Sequence, residues 1–230
     1  MIDCGLPIKT LLAAMQRMQL EPDAIDAVFI THEHGDHIKG LRSFLRRHAV
    51  PSYMTRGTAE VSDSLSIANL QIIADLQQIV IGGICVKPVI VPHDAREPCQ
   101  YVISLTGNDR SLGVITDLGS CSQHVVDHFA NCDAYVLECN HDIEMLKAGV
   151  YPPSVKKRVL SDWGHLSNCQ ARDMLARFGC DKLQWLVLAH LSMKNNDKQL
   201  ALGEITTVFP ERDRIFIADQ QNGFDWLEIA

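Results

Sequence analysis

At 230 residues, 47% of them hydrophobic and 21% charged, the chain can bury a sizeable core, and its composition is that of a globular protein. A formal net charge of -7 argues against broad, nonspecific adhesion to nucleic acid. It leaves room for a nuclease whose bound cations make one locality positive. No apolar run approaches membrane-span length, and the start, Met1-Ile2-Asp3-Cys4-Gly5, has no basic stretch followed by an apolar one, so the expected compartment is the cytoplasm. The eight cysteines include no CxxC pair and read as buried free thiols rather than disulfides.

In chain order, residues 2–5 look like the end of a strand. Residues 6–20 place Ile8, Leu11, Leu12, Met15 and Met18 at helical spacing, and Pro22 closes that helix. An apolar run, Ala27-Val28-Phe29-Ile30, reads as a buried strand, and Ile38, Leu41, Phe44 and Leu45 mark a helix with one buried stripe. Residues 50–55 form a short strand, and Ile67, Leu70 and Ile73 fit a short helix. Strands about Gly82-Gly83 follow, then a hairpin of residues 101–105 and 112–116. Helices at 123–129, near 143–147, at 167–178 and at 198–208 alternate with strands at 134–137, 186–189, 214–218 and 226–229. No linker, repeat or low-complexity tract interrupts the chain. The order fits a single domain, 1–230, with two central sheets and helices outside. A doubly wound sheet fits less well, because hairpins are present and GxGxxG is absent.

The informative stretch is Thr31-His32-Glu33-His34-Gly35-Asp36-His37, four metal-capable side chains within six positions directly after a buried strand. Imidazole and carboxylate suit a divalent ion such as Zn²⁺, Mn²⁺ or Fe²⁺. In an extended segment His32, His34 and Asp36 share a face while His37 points away, so the spacing suggests two neighbouring sites, His32/His34 and Asp36/His37. Further polar residues end predicted strands: His93, Asp117, Glu138 and His190. Loops past strand ends are where a rigid scaffold sets its functional groups.

A dinuclear assignment follows, with His32, His34 and His93 on one ion, Asp36, His37 and His190 on the other, and Asp117 bridging. Such a pair acidifies water to an attacking hydroxide. Asp94 could compete with His93 or orient it, and Asp117 could instead cap the helix after Ser120. His165, in Gly164-His165-Leu166-Ser167-Asn168, could hold a phosphate or protonate a leaving oxygen with help from Ser167 or Asn168, or could be a loop histidine satisfied by backbone. His48, His124 and His128 fall on helices and read as structural or exposed. Arg42, Arg46, Arg47 and His48, and the run Lys156-Lys157-Arg158, are basic footholds that read as solvated faces before they read as phosphate tracks.

Residues 31–37 match the HxHxDH signature of the metallo-β-lactamase fold. Together with Pro92-His93-Asp94-Ala95, Ile115-Thr116-Asp117, Leu137-Glu138 with Asn140-His141-Asp142, residues 164–168, and His190-Leu191-Ser192 with Asn195-Asn196, they resemble the YycJ/WalJ (VicX) branch of DNA exonuclease-like proteins. The resemblance implies a four-layer αβ/βα sandwich with two metal ions at the edge of the facing sheets. It implies the ligands His32, His34, Asp36, His37, His93, Asp117 and His190, with Asp36, Asp117 and His165 as the catalytic groups. His165 corresponds to the extra histidine held near a scissile phosphate. The implied activity is phosphodiester hydrolysis, in its sharper form a 5′-to-3′ exonuclease on double-stranded DNA, with Mn²⁺ or Zn²⁺ bound. Family members normally carry a further β-hairpin with a Gly/Ser-rich loop before the strand ending in Asp3-Cys4-Gly5, and the expected fold lacks that first hairpin. Two other readings need the same residues: a phosphodiesterase for small molecules or cyclic nucleotides, and a non-enzymatic, metal-stabilised regulatory or interaction protein.

Overall fold

The computed structural model describes residues 1–230 in two compact units. One comprises Met1–Ile90 with Ala95–Cys99, the other Val91–Asp94 with Gln100–Ala230.

In the first unit, α1 (Ile8–Arg17) starts after Pro7 and buries Met15. The elements α2 (Gly35–Ile38), α3 (Leu41–Leu45) and α4 (Arg56–Val61) surround a parallel sheet of β1 (Val28–Phe29), β2 (Ser52–Thr55) and β3 (Leu70–Ile73). Val28, Ile30, Leu41, Phe44, Met54 and Ala59 are fully buried and form its core. The single helix expected after the histidine motif is interrupted at Lys39-Gly40, where the Gly40 N–H donates to Cys4 O at 2.7 Å instead of continuing the ladder. The short helix expected around residues 67–73 is corrected to the strand β3. Leu70 pairs with Ser52 and Ile73 with Thr55 in parallel register. The β-branched Ile72 and Ile73 suit a ladder, and pairing with β2 overrides the helical spacing. Then β4 (Ile79–Ile81) and β5 (Ile84–Ile90) pair antiparallel. Gly82 and Gly83 supply the two positive φ angles, 56° and 87°, that so tight a turn needs.

The second unit carries β6 (Cys99–Leu105, its first residue in the first unit), β7 (Ser111–Ile115), α5 (Gln123–Phe129), β8 (Ala134–Glu138), α6 (Ile143–Ala148), α7 (Pro153–Val159), α8 (Asn168–Phe178), β9 (Trp185–Ala189), α9 (Lys198–Ile205) and β10 (Ile215–Ile217). These strands lie in the order β10-β9-β8-β7-β6, with β7 to β10 parallel and β6 antiparallel to β7. Every residue of β9, and all of β8 but Val136, is buried, as parallel strands covered on both faces require. Gly113 is demanded by packing: a Cβ there would lie 2.6 Å from the Tyr135 ring. Tyr135 stacks on Phe178 at 5.3 Å and donates its hydroxyl to Phe129 O at 2.5 Å.

Two expectations need correction here. Helix α7 went unread, although Pro153 occupies its favoured first position. The strand expected at 226–229 does not form. Its backbone bonds to side chains instead, with Trp185 Nε1 donating to Glu228 O at 3.1 Å and Gln184 exchanging bonds with Ala230 at 2.7 and 3.0 Å. Leu227 and Ile229 still pack against Ala134, Trp185 and Val187. All eight cysteines are free thiols. No helix is long and apolar enough to cross a membrane.

Candidate metal centre

In the first unit the donors come from one loop. His32 follows β1, His34 is the residue before α2, and Asp36 and His37 sit in its first turn. Turning into a helix brings His37 back, so that its ring lies 4.1 Å from that of His32, while the His34 ring lies 4.5 Å from His32 on another side. His37 Nε2 is 3.5 Å from Asp36 Oδ2. The loop is held from beneath by Asp3, whose φ of 55° is left-handed. Its carboxylate accepts the Thr31 N–H at 2.8 Å, the Thr31 hydroxyl at 3.0 and 3.1 Å, and His37 Nδ1 at 2.7 Å.

Those bonds decide tautomers. A carboxylate only accepts, so His37 carries its proton on Nδ1. The Thr31 hydroxyl donates to Asp3 and so accepts from His32 Nδ1, 2.9 Å away. In both rings the lone pair is therefore on Nε2, the state a metal ligand needs. Gly5 permits this arrangement: a Cβ there would lie 1.5 Å from Asp36 O, and Cys4 N donates to His37 O at 2.7 Å.

In the second unit the donors come from distant positions brought together by strand register. Ile115 pairs with Leu137, and Leu137 with Leu188. Asp117, Glu138 and His190, each one or two residues further on, therefore emerge side by side. With His165 they form a group whose ligand-capable atoms all lie within 4.8 Å of one another. Asp117 Oδ1 lies 3.5 Å from His190 Nδ1, 3.6 Å from His165 Nδ1 and 3.8 Å from His93 Nε2. His93 donates Nδ1–H to Gly164 O at 2.9 Å, which again sets the lone pair on Nε2.

Glu138 is fully buried and saturated. Oε1 accepts from His165 and His190 at 2.8 and 3.0 Å, and Oε2 accepts the Leu118 and Leu166 N–H groups at 3.0 and 3.2 Å. Burial alone would raise its pKa, but the hydrogen bonds from His165 and His190 outweigh it and hold the carboxyl at about 2. Four accepted bonds make Glu138 an orienting anion rather than a ligand. For His165, burial disfavours the charge, yet the bond and charge of Glu138 prevail and raise its pKa. Burial lowers His93 to about 4, with the neighbouring His165 acting in the same direction. His190 sits at a left-handed φ of 56°, and its carbonyl accepts from Asn140 Nδ2 at 3.1 Å.

The first unit thus gathers His32, His34, Asp36 and His37, and the second gathers His93, Asp117, His165 and His190. The sequence assigned no role to two orienting carboxylates, Asp3 and Glu138. Glu138 was visible as a polar strand end, whereas Asp3 had only its place before a glycine. Ser167 and Asn168 do not assist His165. Ser167 caps α8 reciprocally with Gln170, and Asn168 exchanges bonds with Asn196 at 2.8 and 2.9 Å. Each unit therefore carries a set of imidazole and carboxylate donors suited to a divalent ion, with ring tautomers already set for ligation.

The family model described as the beta-lactamase superfamily domain matches residues 1–190. The chain is 36% identical over 219 residues to exodeoxyribonuclease YycJ of Bacillus anthracis, covering 92% of this chain and 81% of that protein. It is 31% identical over 207 residues to exodeoxyribonuclease WalJ of Streptococcus pneumoniae, covering 87% and 76%. Among solved structures, the metallo-β-lactamase fold protein YhfI of Bacillus subtilis superposes with a TM-score of 0.72 at 20% identity, over 98% of this chain and 85% of that one. Zn²⁺-bound PqqB of Methylobacterium extorquens does so with a TM-score of 0.70 at 20% identity, over 97% and 81%. The expected fold class, an α/β sandwich of the metallo-β-lactamase type, is thereby met. The chain belongs to the beta-lactamase superfamily domain family and is a metal-dependent hydrolase related to the YycJ/WalJ proteins.

Proposed function

We propose that residues 1–230 act as one catalytic domain that hydrolyses phosphodiesters as a 5′-to-3′ exonuclease on double-stranded DNA. His32, His34 and His93 would hold one divalent ion, Asp36, His37 and His190 a second, and Asp117 would be shared. Bound there, the ions would supply Lewis-acid stabilisation of a phosphoryl group and acidify water.

The observation that carries this reading is the Glu138–His165 pair. The Glu138 carboxylate, 2.8 Å from His165 Nδ1, keeps that imidazole protonated to higher pH than an ordinary histidine. His165 is then an acid beside Asp117, and it donates its proton to the departing oxygen of a phosphodiester. Thioester hydrolysis has less use for such a group, because a thiolate departs without a proton. The names of the relatives at 36% and 31% identity support DNA as the substrate. The eight free thiols support a cytoplasmic location.

The test compares 5′-labelled duplex DNA, single-stranded DNA, RNA and bis-p-nitrophenyl phosphate, each with Mn²⁺ or Zn²⁺. Mononucleotide release from duplex 5′ ends, lost on His34→Ala, is the expected result. Turnover of the small ester alone, with all three polymers untouched, would replace the exonuclease with a small-substrate phosphodiesterase.

A further inference from the structure

Charge is unevenly distributed along the chain. Between Asp36 and Glu60 there is no acidic residue, although the whole chain has 28, while five of its 21 Lys and Arg fall there: Lys39, Arg42, Arg46, Arg47 and Arg56. All five are exposed. In helix α3 Leu41 and Phe44 are buried, Arg42 is exposed, and Arg46 and Arg47 follow exposed at its C-terminal end. Arg42 is tied to the Asp63 carbonyl, with its carboxylate 3.6 Å away. Arg46 and Arg47 bond only to Ser43, at 3.5 and 2.9 Å to its hydroxyl and carbonyl. Neither is neutralised. Beside them a groove of about 330 Å³ is lined by Arg42, Leu45, Arg46, Ser66, Ile67 and Ala68. Arg46 thus presents an uncompensated guanidinium at an open groove, with Arg47 next to it in the chain, and guanidinium is the group suited to a phosphate.

We infer that the exposed C-terminal end of α3 is the docking surface for the phosphate backbone of duplex DNA, with Arg46 and Arg47 as the residues that meet it. The inference rests on the nuclease reading above and gives a chain of net charge -7 a local basic track next to the metal-donor loop in the chain. The surface directly follows the metal-donor loop. Asp36 and Arg46 are ten residues apart across two short helices, α2 and α3, and ten residues of unbroken helix would rise at most roughly 15 Å. Phosphates on one strand advance about 3.4 Å per base pair along the duplex axis. The arginines thus lie within about four base pairs of a bond held at the loop. Phosphate contacts of this kind set register and orientation without reading sequence, which is what an exonuclease acting on any duplex needs.

The experiment measures steady-state cleavage of 5′-labelled duplex DNA by the full-length, metal-loaded protein between about 50 and 200 mM salt. The double variant Arg46→Ser with Arg47→Ser should raise KM for duplex by about tenfold and flatten the log KM against log salt slope by about 1.8, roughly 0.9 for each phosphate no longer neutralised. Its kcat and its turnover of bis-p-nitrophenyl phosphate should match the parent. A second variant, Lys182→Ser with Arg212→Ser, removes the same charge at exposed positions elsewhere and should leave the slope unchanged. An unaltered slope in the first variant, or an equal change in both, overturns the docking surface while leaving the nuclease standing. A parent that hydrolyses the small ester but neither binds nor cuts duplex overturns the nuclease, and the surface with it.

Discussion

Asp3 in the first unit and Glu138 in the second perform the same task by different routes. Each is a carboxylate that orients two imidazoles: Asp3 acts on His37 directly and on His32 through the Thr31 hydroxyl, and Glu138 acts on His165 and His190. In the first unit the imidazoles are five residues apart, and a loop turning into α2 gathers them. In the second they are 25 residues apart, and only the register of parallel strands and the loop before α8 can gather them. Local chain geometry and sheet register are thus alternative ways to build one device. The first is compact and leaves its carboxylate partly exposed, and the second is buried and saturated.

Breaking the ligand proposed to be shared should have the largest effect. Asp117→Ala is expected to lower turnover of bis-p-nitrophenyl phosphate by about 10³-fold, since several kcal/mol of charge stabilisation are at stake. An activity within about tenfold of the parent would remove Asp117 from the centre. Next comes His165→Ala, which should cost about 10²-fold on DNA. It should cost much less on the p-nitrophenyl ester, whose leaving group needs no proton. Equal losses on the two substrates would show that His165 does not serve as the acid.

The orienting carboxylates separate the two units more finely. Asp3→Asn and Glu138→Gln should each weaken metal affinity or activity by about 10–100-fold. Glu138→Gln should also lower the His165 pKa and shift the alkaline limb of the pH–rate profile to lower pH, whereas Asp3→Asn should leave that limb in place. Identical profiles for the two variants would dissolve the distinction. Gly5→Ala should mimic Asp3→Asn, because its methyl group collides with Asp36 O, and native-like metal binding by that variant would show that the loop can yield.

The smallest effect is on stability. Burial keeps His93 and His141 neutral, each near 4 against an ordinary 6.5 in the unfolded chain. As pH falls from 6.5 towards 4, the unfolded chain takes up these protons and the folded one does not, so stability is full above that window and declines through it. His165, with its raised pKa, acts in the opposite sense and only at higher pH, where its stabilising contribution is lost as pH rises. The urea midpoint of the metal-free protein should therefore drop between about pH 7 and pH 5, and a constant midpoint would contradict the buried neutral imidazoles.

The contrast between the units also explains what the sequence disclosed. Residues 32–37 are legible because their spacing alone carries the chemistry, and β8 and β9 because parallel strands covered on both faces read as largely apolar runs. Glu138 could be seen at a strand end, but its role depends on which strands are neighbours, and no local pattern encodes that. The strand β3 was misread because Ile67, Leu70 and Ile73 satisfy a helical spacing that pairing with β2 overrides. The tail at 226–229 looks like a strand by composition, but the Trp185 and Gln184 side chains take its backbone bonds. Asp3 was missed for a similar reason, since its partners lie 28 and 34 residues away.

Metal content bears most directly on whether the two donor sets jointly hold a pair of divalent ions. Inductively coupled plasma mass spectrometry of the protein loaded with Mn²⁺ or Zn²⁺ and desalted should give two ions per chain, falling to one or fewer on Asp117→Ala, with hydrolysis abolished by chelation and restored on reloading. A chain that retains at most one ion, or that hydrolyses its substrate undiminished after the metal has been stripped, would contradict the paired centre.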